Sequence, residues 1–176
     1  MGLFYITGVA GSGKSAIEKE LHRLGYEAYD VDDPSIGAPY NNQSNTVVVM
    51  PPASERTAEW FAAHSWRISR KRIEELKERA KDRAIFVCGT AGNEQQVRSL
   101  FDGVLCLDID EATLRSRIAS RTDNDFGHTE QELQMILQRH KAYRESYASS
   151  DITIVDATKP LNDVVGLILK STNVAN

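Results

Sequence analysis

Apolar and polar positions along this chain fall into short blocks with two alternating periods. Leu3-Phe4-Tyr5-Ile6-Thr7 is a brief apolar run rich in β-formers, and Ala16 to Leu21 follows with apolar residues at helical spacing. Glu27 to Asp33 reads as a second strand that ends in Asp30 and Asp32 and is stopped by Pro34. Ile68, Ile73, Leu76 and Ala80 recur at near-helical spacing through a charged stretch, which predicts an amphipathic helix with Lys and Arg outside. Ala84 to Cys88 and Val104 to Leu107 are compact apolar strands, and Leu114 to Ser120 is helical. Thr129-Glu130-Gln131-Glu132 is a capping box that opens a helix running to Tyr147. A fifth strand, Ile152 to Val155, leads through the turn 156–160 to a closing helix, Leu161 to Leu169.

Strands that alternate with helices predict an α/β fold in three layers, a parallel sheet with helices on both faces. The 176 residues suit one domain, 1–176, and no repeat, low-complexity tract or linker divides them. The segment of about 33–66 has the weakest pattern. Asn41 to Asn45 is polar and turn-like, and Val47 to Met50 is an apolar run before Pro51-Pro52, read as a small strand or a flap over an acceptor. Arg56, Trp60, Trp66, Arg67 and Arg70 cluster there with His64. They read either as a grip on an anionic or planar acceptor or as packing beneath a solvated face, with His64 structural.

Composition narrows the partners. A net charge of −4 with 41% hydrophobic and 26% charged residues suggests no general nucleic-acid or membrane surface, so an anionic ligand has to be met by local cations. Cys88 and Cys106 each sit inside an apolar run and read as buried free thiols with no metal spacing. Such a chain, with no signal-peptide pattern and no run of membrane-spanning length, suits the cytosol.

The chemistry is concentrated at Gly8-Val9-Ala10-Gly11-Ser12-Gly13-Lys14-Ser15, a full G-x-x-x-x-G-K-[ST] match between a strand and a helix. Glycines let backbone N–H groups approach phosphate oxygens, and the following helix N-terminus attracts anions. Gly8, Gly11, Ser12 and Gly13 therefore form the expected phosphate cradle for ATP. Lys14 is expected on the β- and γ-phosphates and Ser15 on Mg²⁺. Asp30 and Asp32 share a face if their strand persists, and they fall at the carboxyl end of the sheet, where α/β ligands bind. No acidic residue directly follows the 84–88 strand, which moves metal duty toward Ser15, Asp30 and Asp32. The Gly-rich loop after Cys88, beginning at Gly89, is a second ligand-facing strand end. Arg117 and Arg121 are four apart on one helical face, as are Arg139 and Tyr143.

These motifs together resemble the small P-loop kinases of the nucleoside-monophosphate-kinase-like group, over most of the chain apart from residues 34–66. Leu114 to Arg121 is similar to the segment that leads into the lid of adenylate kinases. The resemblance makes Arg117 the adenine neighbour, Arg121 a phosphate ligand and residues of about 121–128 the lid. Tyr29-Asp30-Val31-Asp32 resembles the D-x-D of shikimate kinases, which implies Asp30 near Mg²⁺ and Asp32 near an acceptor hydroxyl. Arg139-His140-Lys141-Ala142-Tyr143 resembles the R-x-x-x-Y helix of the same family, whose arginine would reach acceptor or phosphate when the lid closes; Arg139 and Gly89 are the substrate-binding candidates beside Asp32. The 156–160 turn, ending in Pro160, resembles the loop that edges adenine. The implied sheet order is 2-3-1-4-5. Three departures stand out: the D-G-F-P-R segment of adenylate kinases is absent, the G-G-G acceptor loop of shikimate kinases is replaced by Cys88 to Asn93, and the lid lacks R-P-L-L and reads Arg121 to Gly127.

The expected activity is transfer of the γ-phosphate of ATP to a small molecule. A carboxylate at Asp32 suits a hydroxyl acceptor, whose proton must be taken. A phosphate acceptor, as in nucleoside monophosphate kinases, needs no such base. An ATPase switch acting on a protein partner is the reading from another class.

Overall fold

A computed structural model describes residues 1–122, 126–147 and 152–174. In chain order the elements are β1 (Gly2–Thr7), α1 (Lys14–Arg23), β2 (Glu27–Asp30), β3 (Gly37–Asn41), α2 (Ala58–Ala63), β4 (His64–Ile68), α3 (Arg70–Arg79), β5 (Ala84–Cys88), α4 (Glu94–Val97), β6 (Gly103–Asp108), α5 (Glu111–Ser120), α6 (Glu130–Tyr147), β7 (Thr153–Asp156) and α7 (Leu161–Ser171). Five of the strands form one sheet, ordered β2-β5-β1-β6-β7, with every neighbouring pair parallel. Counted among the sheet's own strands, this is the expected order 2-3-1-4-5.

β1 is central and buried along its whole length. Its alternation divides the core. Leu3 and Tyr5 face α3, through Ile73, Leu76 and Ala80. Phe4 and Ile6 face α1 and α7, through Ile17, Leu21, Val164, Val165 and Ile168. A third cluster sits above the strand ends, where Val9 of the phosphate loop meets Ile109, Leu114, Ile118 and Ile136. It seats α5 and α6 against the loop and so fixes the elements that bear Arg117 and Arg139.

The segment 33–66 corrects the sequence reading. Its weak pattern hides a small second sheet, in which β3 pairs antiparallel with β4, Gly37 opposite Ile68 and Asn41 opposite His64. Pro39 sits opposite Trp66, and the Pro and Gly content of β3 hides it from periodicity. Val47 to Met50 forms no strand; it makes a single bridge, Val47 to Tyr40, and Val47, Val49 and Met50 are exposed. Trp66 is a structural anchor whose indole Nε1 donates to the Val31 carbonyl at 2.9 Å. His64 stacks on Trp60 at 4.5 Å, as expected of a structural histidine.

Candidate active site

The phosphate loop connects β1 to α1, and Gly13 occupies the N-cap of α1 with φ 106°, a left-handed conformation that favours glycine. The Lys14 ammonium folds back over the loop, donating to the carbonyls of Gly8 at 2.6 Å and Val9 at 2.8 Å. Burial pulls its pKa down to about 8, against the opposing pull of Asp32 and Asp30. Ser12 is buried, and its hydroxyl has no hydrogen-bond partner among the described residues. A buried orphan hydroxyl in a positive-φ glycine cradle, beside a lysine that satisfies itself on carbonyls, fits a polyphosphate ligand.

Ser15 and the two aspartates meet beside this cradle. The Ser15 hydroxyl donates to Asp30 Oδ2 at 3.0 Å, and the Asp32 backbone N–H donates to Asp30 Oδ1 at 2.9 Å. β2 ends at Asp30, so the aspartates do not share a strand face; the turn that follows brings them together instead. Desolvation, and then the Asp30 charge, raise the Asp32 pKa, although solvent reaches the residue. A hydroxyl and a carboxylate are hard oxygen donors suited to Mg²⁺, which is held through one or two carboxylates plus substrate phosphates. Among the described residues no group of three or more His, Cys, Asp or Glu side chains could hold a metal ion by itself.

The remaining expected residues frame this centre. Arg117 clamps the loop to the 156–160 turn, donating to the Ser12 carbonyl at 3.2 Å and the Ala157 carbonyl at 2.8 Å. Pro160 occupies the N-cap of α7 at the far side of that turn. Arg121 closes α5, and its Nη2 lies 3.5 Å from where a Cβ on Gly127 would stand. Three residues of the expected lid, 123–125, lie outside the described residues. Gly89 follows β5 and packs on Val31, between the two aspartates. Arg139 lies on the exposed side of α6, where it lines a groove with Ala58, Phe61, Ala62, Met135, Gln138 and Ala142.

No protein-family model and no curated protein matches the sequence. Solved structures do. A shikimate kinase from Acinetobacter baumannii, in complex with shikimate, superposes with a TM-score of 0.60 at 15% identity, over 98% of this chain and 93% of that one. The chain has the fold of the small P-loop kinases. An unliganded sugar kinase from Janibacter sp. HTCC2649 matches with a TM-score of 0.57 at 19% identity, over 98% and 95% of the two chains. A deoxyadenosine kinase from M. mycoides with bound dATP matches with a TM-score of 0.52 at 17% identity, over 98% and 100%. Among the described residues no helix is long and apolar enough to cross a membrane.

Two residues of this P-loop kinase fold escape sequence reasoning. Thr90 donates its hydroxyl to the Gly8 carbonyl at 2.7 Å and so ties the loop after β5 to the phosphate loop. Glu94 turns inward beneath α6, where Tyr147 and Tyr143 donate to it. A threonine in a Gly-rich loop and an acid opening a helix are ordinary polar positions, and no motif distinguishes them.

Proposed function

We propose that this chain is an ATP-dependent phosphotransferase that moves the γ-phosphate to a hydroxyl of a small molecule. The observation that carries this reading is the convergence of Lys14, Ser15, Asp30 and Asp32 at the carboxyl end of the sheet, with Asp32 joined to Asp30 through its backbone N–H. Phosphoryl transfer needs positioning and neutralisation more than covalent chemistry by the protein. The glycine loop and the freed Lys14 ammonium would hold the phosphates, and Arg117 and the 156–160 turn would border the base. Ser15 and Asp30 would hold Mg²⁺, whose role is to neutralise phosphate charge. Arg121 would meet the phosphates from the lid.

Asp32 would take the acceptor hydroxyl's proton as that oxygen bonds to the γ-phosphorus and the bond to the β,γ-bridging oxygen breaks, releasing ADP. A carboxylate with a raised pKa is the better base for this step. Gly89 and Arg139 would flank the acceptor, and the small β3–β4 sheet would wall it. The runner-up, a nucleoside monophosphate kinase, has the same donor half in its favour but gives Asp32 no work.

The test is ADP release with Mg²⁺-ATP across panels of sugars, hydroxy acids, nucleosides and nucleoside monophosphates. Stimulation by a hydroxyl compound is expected. Stimulation by nucleoside monophosphates alone would favour the runner-up, and acceptor-independent hydrolysis throughout would favour a switch.

A further inference from the structure

α6 is held along its first half by apolar packing and near its C-terminus by polar contacts as well. Its first half docks through Leu133, Ile136 and Leu137 onto Val9, Ile109, Leu114 and Ile118, and His140 Nε2 lies 2.6 Å from the Ile109 carbonyl. Its last turns, where Tyr143 also packs on this cluster, present two phenols to one carboxylate. Glu94 opens α4 immediately after the 89–93 loop, and there it receives the Tyr147 hydroxyl at 2.7 Å and the Tyr143 hydroxyl at 3.3 Å. The two tyrosine rings pack edge to face, with centroids 5.0 Å apart. Thr7 of β1, whose hydroxyl is fully buried, is the residue before Gly8 of the phosphate loop. Lys14 and Glu94 lie within electrostatic reach of each other.

We propose that Glu94 is a positioning residue that pins the C-terminal half of α6 to the acceptor-side loop through Tyr143 and Tyr147. The consequence reaches the acceptor groove, because Arg139 and Met135 on the outer side of α6 face Ala58 and Phe61 of α2. A half-buried carboxylate that loses its phenol donors pays a desolvation penalty, so α6 is not free to slide while Glu94 is charged and bonded. Desolvation raises the Glu94 pKa, in keeping with a group held away from water. Phe61 also meets Phe126, with ring centroids 5.7 Å apart.

The assignment rests on the phosphotransferase reading only for its kinetic consequence, so the test has a structural arm that needs no acceptor. Glu94→Gln, Tyr147→Phe and the double variant are compared with wild type by hydrogen exchange, with and without an ATP analogue. Amides of the last turns of α6 should exchange on the order of tenfold faster in either single variant, because a hydrogen bond to a charged group is lost. The double variant should be little worse than the worse single, since both remove one interaction. β1 and α7 should keep their protection, and affinity for the ATP analogue should stay within about twofold. With an acceptor in hand, KM for that acceptor should rise while KM for ATP holds. Unchanged α6 protection, additive effects, or a parallel loss of nucleotide affinity would overturn the proposal. Should Glu94→Gln not fold, Tyr147→Phe, which removes one hydroxyl, carries the same comparison. Faster α6 exchange in Glu94→Gln, together with wild-type ADP release that no acceptor stimulates, would refute the phosphotransferase reading and leave the positioning role standing.

Discussion

Gly89 joins the fold to the candidate chemistry, and replacing it with alanine tests that joint. A Cβ at this position would stand 2.2 Å from Val31 Cβ and 2.4 Å from its Cγ2. The first contact is with the root of the side chain, so no rotamer of Val31 relieves it, and trimming Val31 to alanine leaves it in place. Nor can the backbone yield cheaply. The Val31 N–H donates to the Cys88 carbonyl at 2.8 Å, its carbonyl holds Trp66, and the Gly89 N–H donates to the Ile6 carbonyl at 3.0 Å. Overpacking in a constrained core costs about 1–3 kcal/mol, and this contact belongs at the upper end. For a chain of this length that corresponds to a fall in Tm of about 6–12 °C. Because Val31 separates Asp30 from Asp32, its displacement should also lower turnover while the phosphate loop keeps its affinity for nucleotide. Gly166 is the control: it lies in α7, and a Cβ there meets nothing within 4 Å. Gly166→Ala should stabilise by about 0.5–1 kcal/mol through helix propensity. Thermal unfolding of the two variants, with calorimetric titration of an ATP analogue, decides the matter. A Gly89→Ala protein that melts within about 1 °C of wild type would refute the packing argument.

Two further outcomes concern Lys14. Lys14→Ala should fold normally and lose on the order of 10²–10³ in turnover, the cost of one charge-stabilising donor; wild-type ADP release by the folded variant would remove the site. The pKa of about 8 also predicts proton uptake on nucleotide binding, because phosphates restore the ammonium. The sign follows from the depression. Between about 8 and the ordinary 10.5 the unfolded chain holds more protons at this group than the folded one, so Lys14 adds stability to the empty protein as pH rises through that window, and nucleotide opposes this. Calorimetric titration at pH 8 in buffers of different ionisation enthalpy should show uptake of about half a proton, and a heat independent of buffer would contradict it.

The sheet and the donor half were legible because their signals are local. β1, β5 and β6 are continuous apolar runs, and Gly8 to Ser15 carries its chemistry within eight residues. The β3–β4 pairing was not legible, since its strands lie more than twenty residues apart and one contains Gly37 and Pro39. The apolar run Val47 to Met50, one reading of which was a small strand, meets β3 only at the Val47–Tyr40 bridge and lies exposed, because hydrophobicity without burial makes no strand. Asp30 and Asp32 were picked out by their spacing, but a turn, not a shared strand face, joins them. Glu94 was invisible because its partners, Tyr143 and Tyr147, come from a helix about fifty residues later in the sequence.

The central claim is that Asp32 accepts a proton from an acceptor hydroxyl, and Asp32→Asn tests it most directly. The substitution keeps the shape of the side chain and removes the base. The measurement is paired: affinity for Mg²⁺-ATP by calorimetry, and turnover with the best hydroxyl acceptor found. The account predicts nearly unchanged affinity with turnover lower by roughly 10²–10⁴, whereas Asp30→Asn weakens the response to Mg²⁺. Normal turnover in Asp32→Asn would contradict the account and return the nucleoside monophosphate kinase reading to first place.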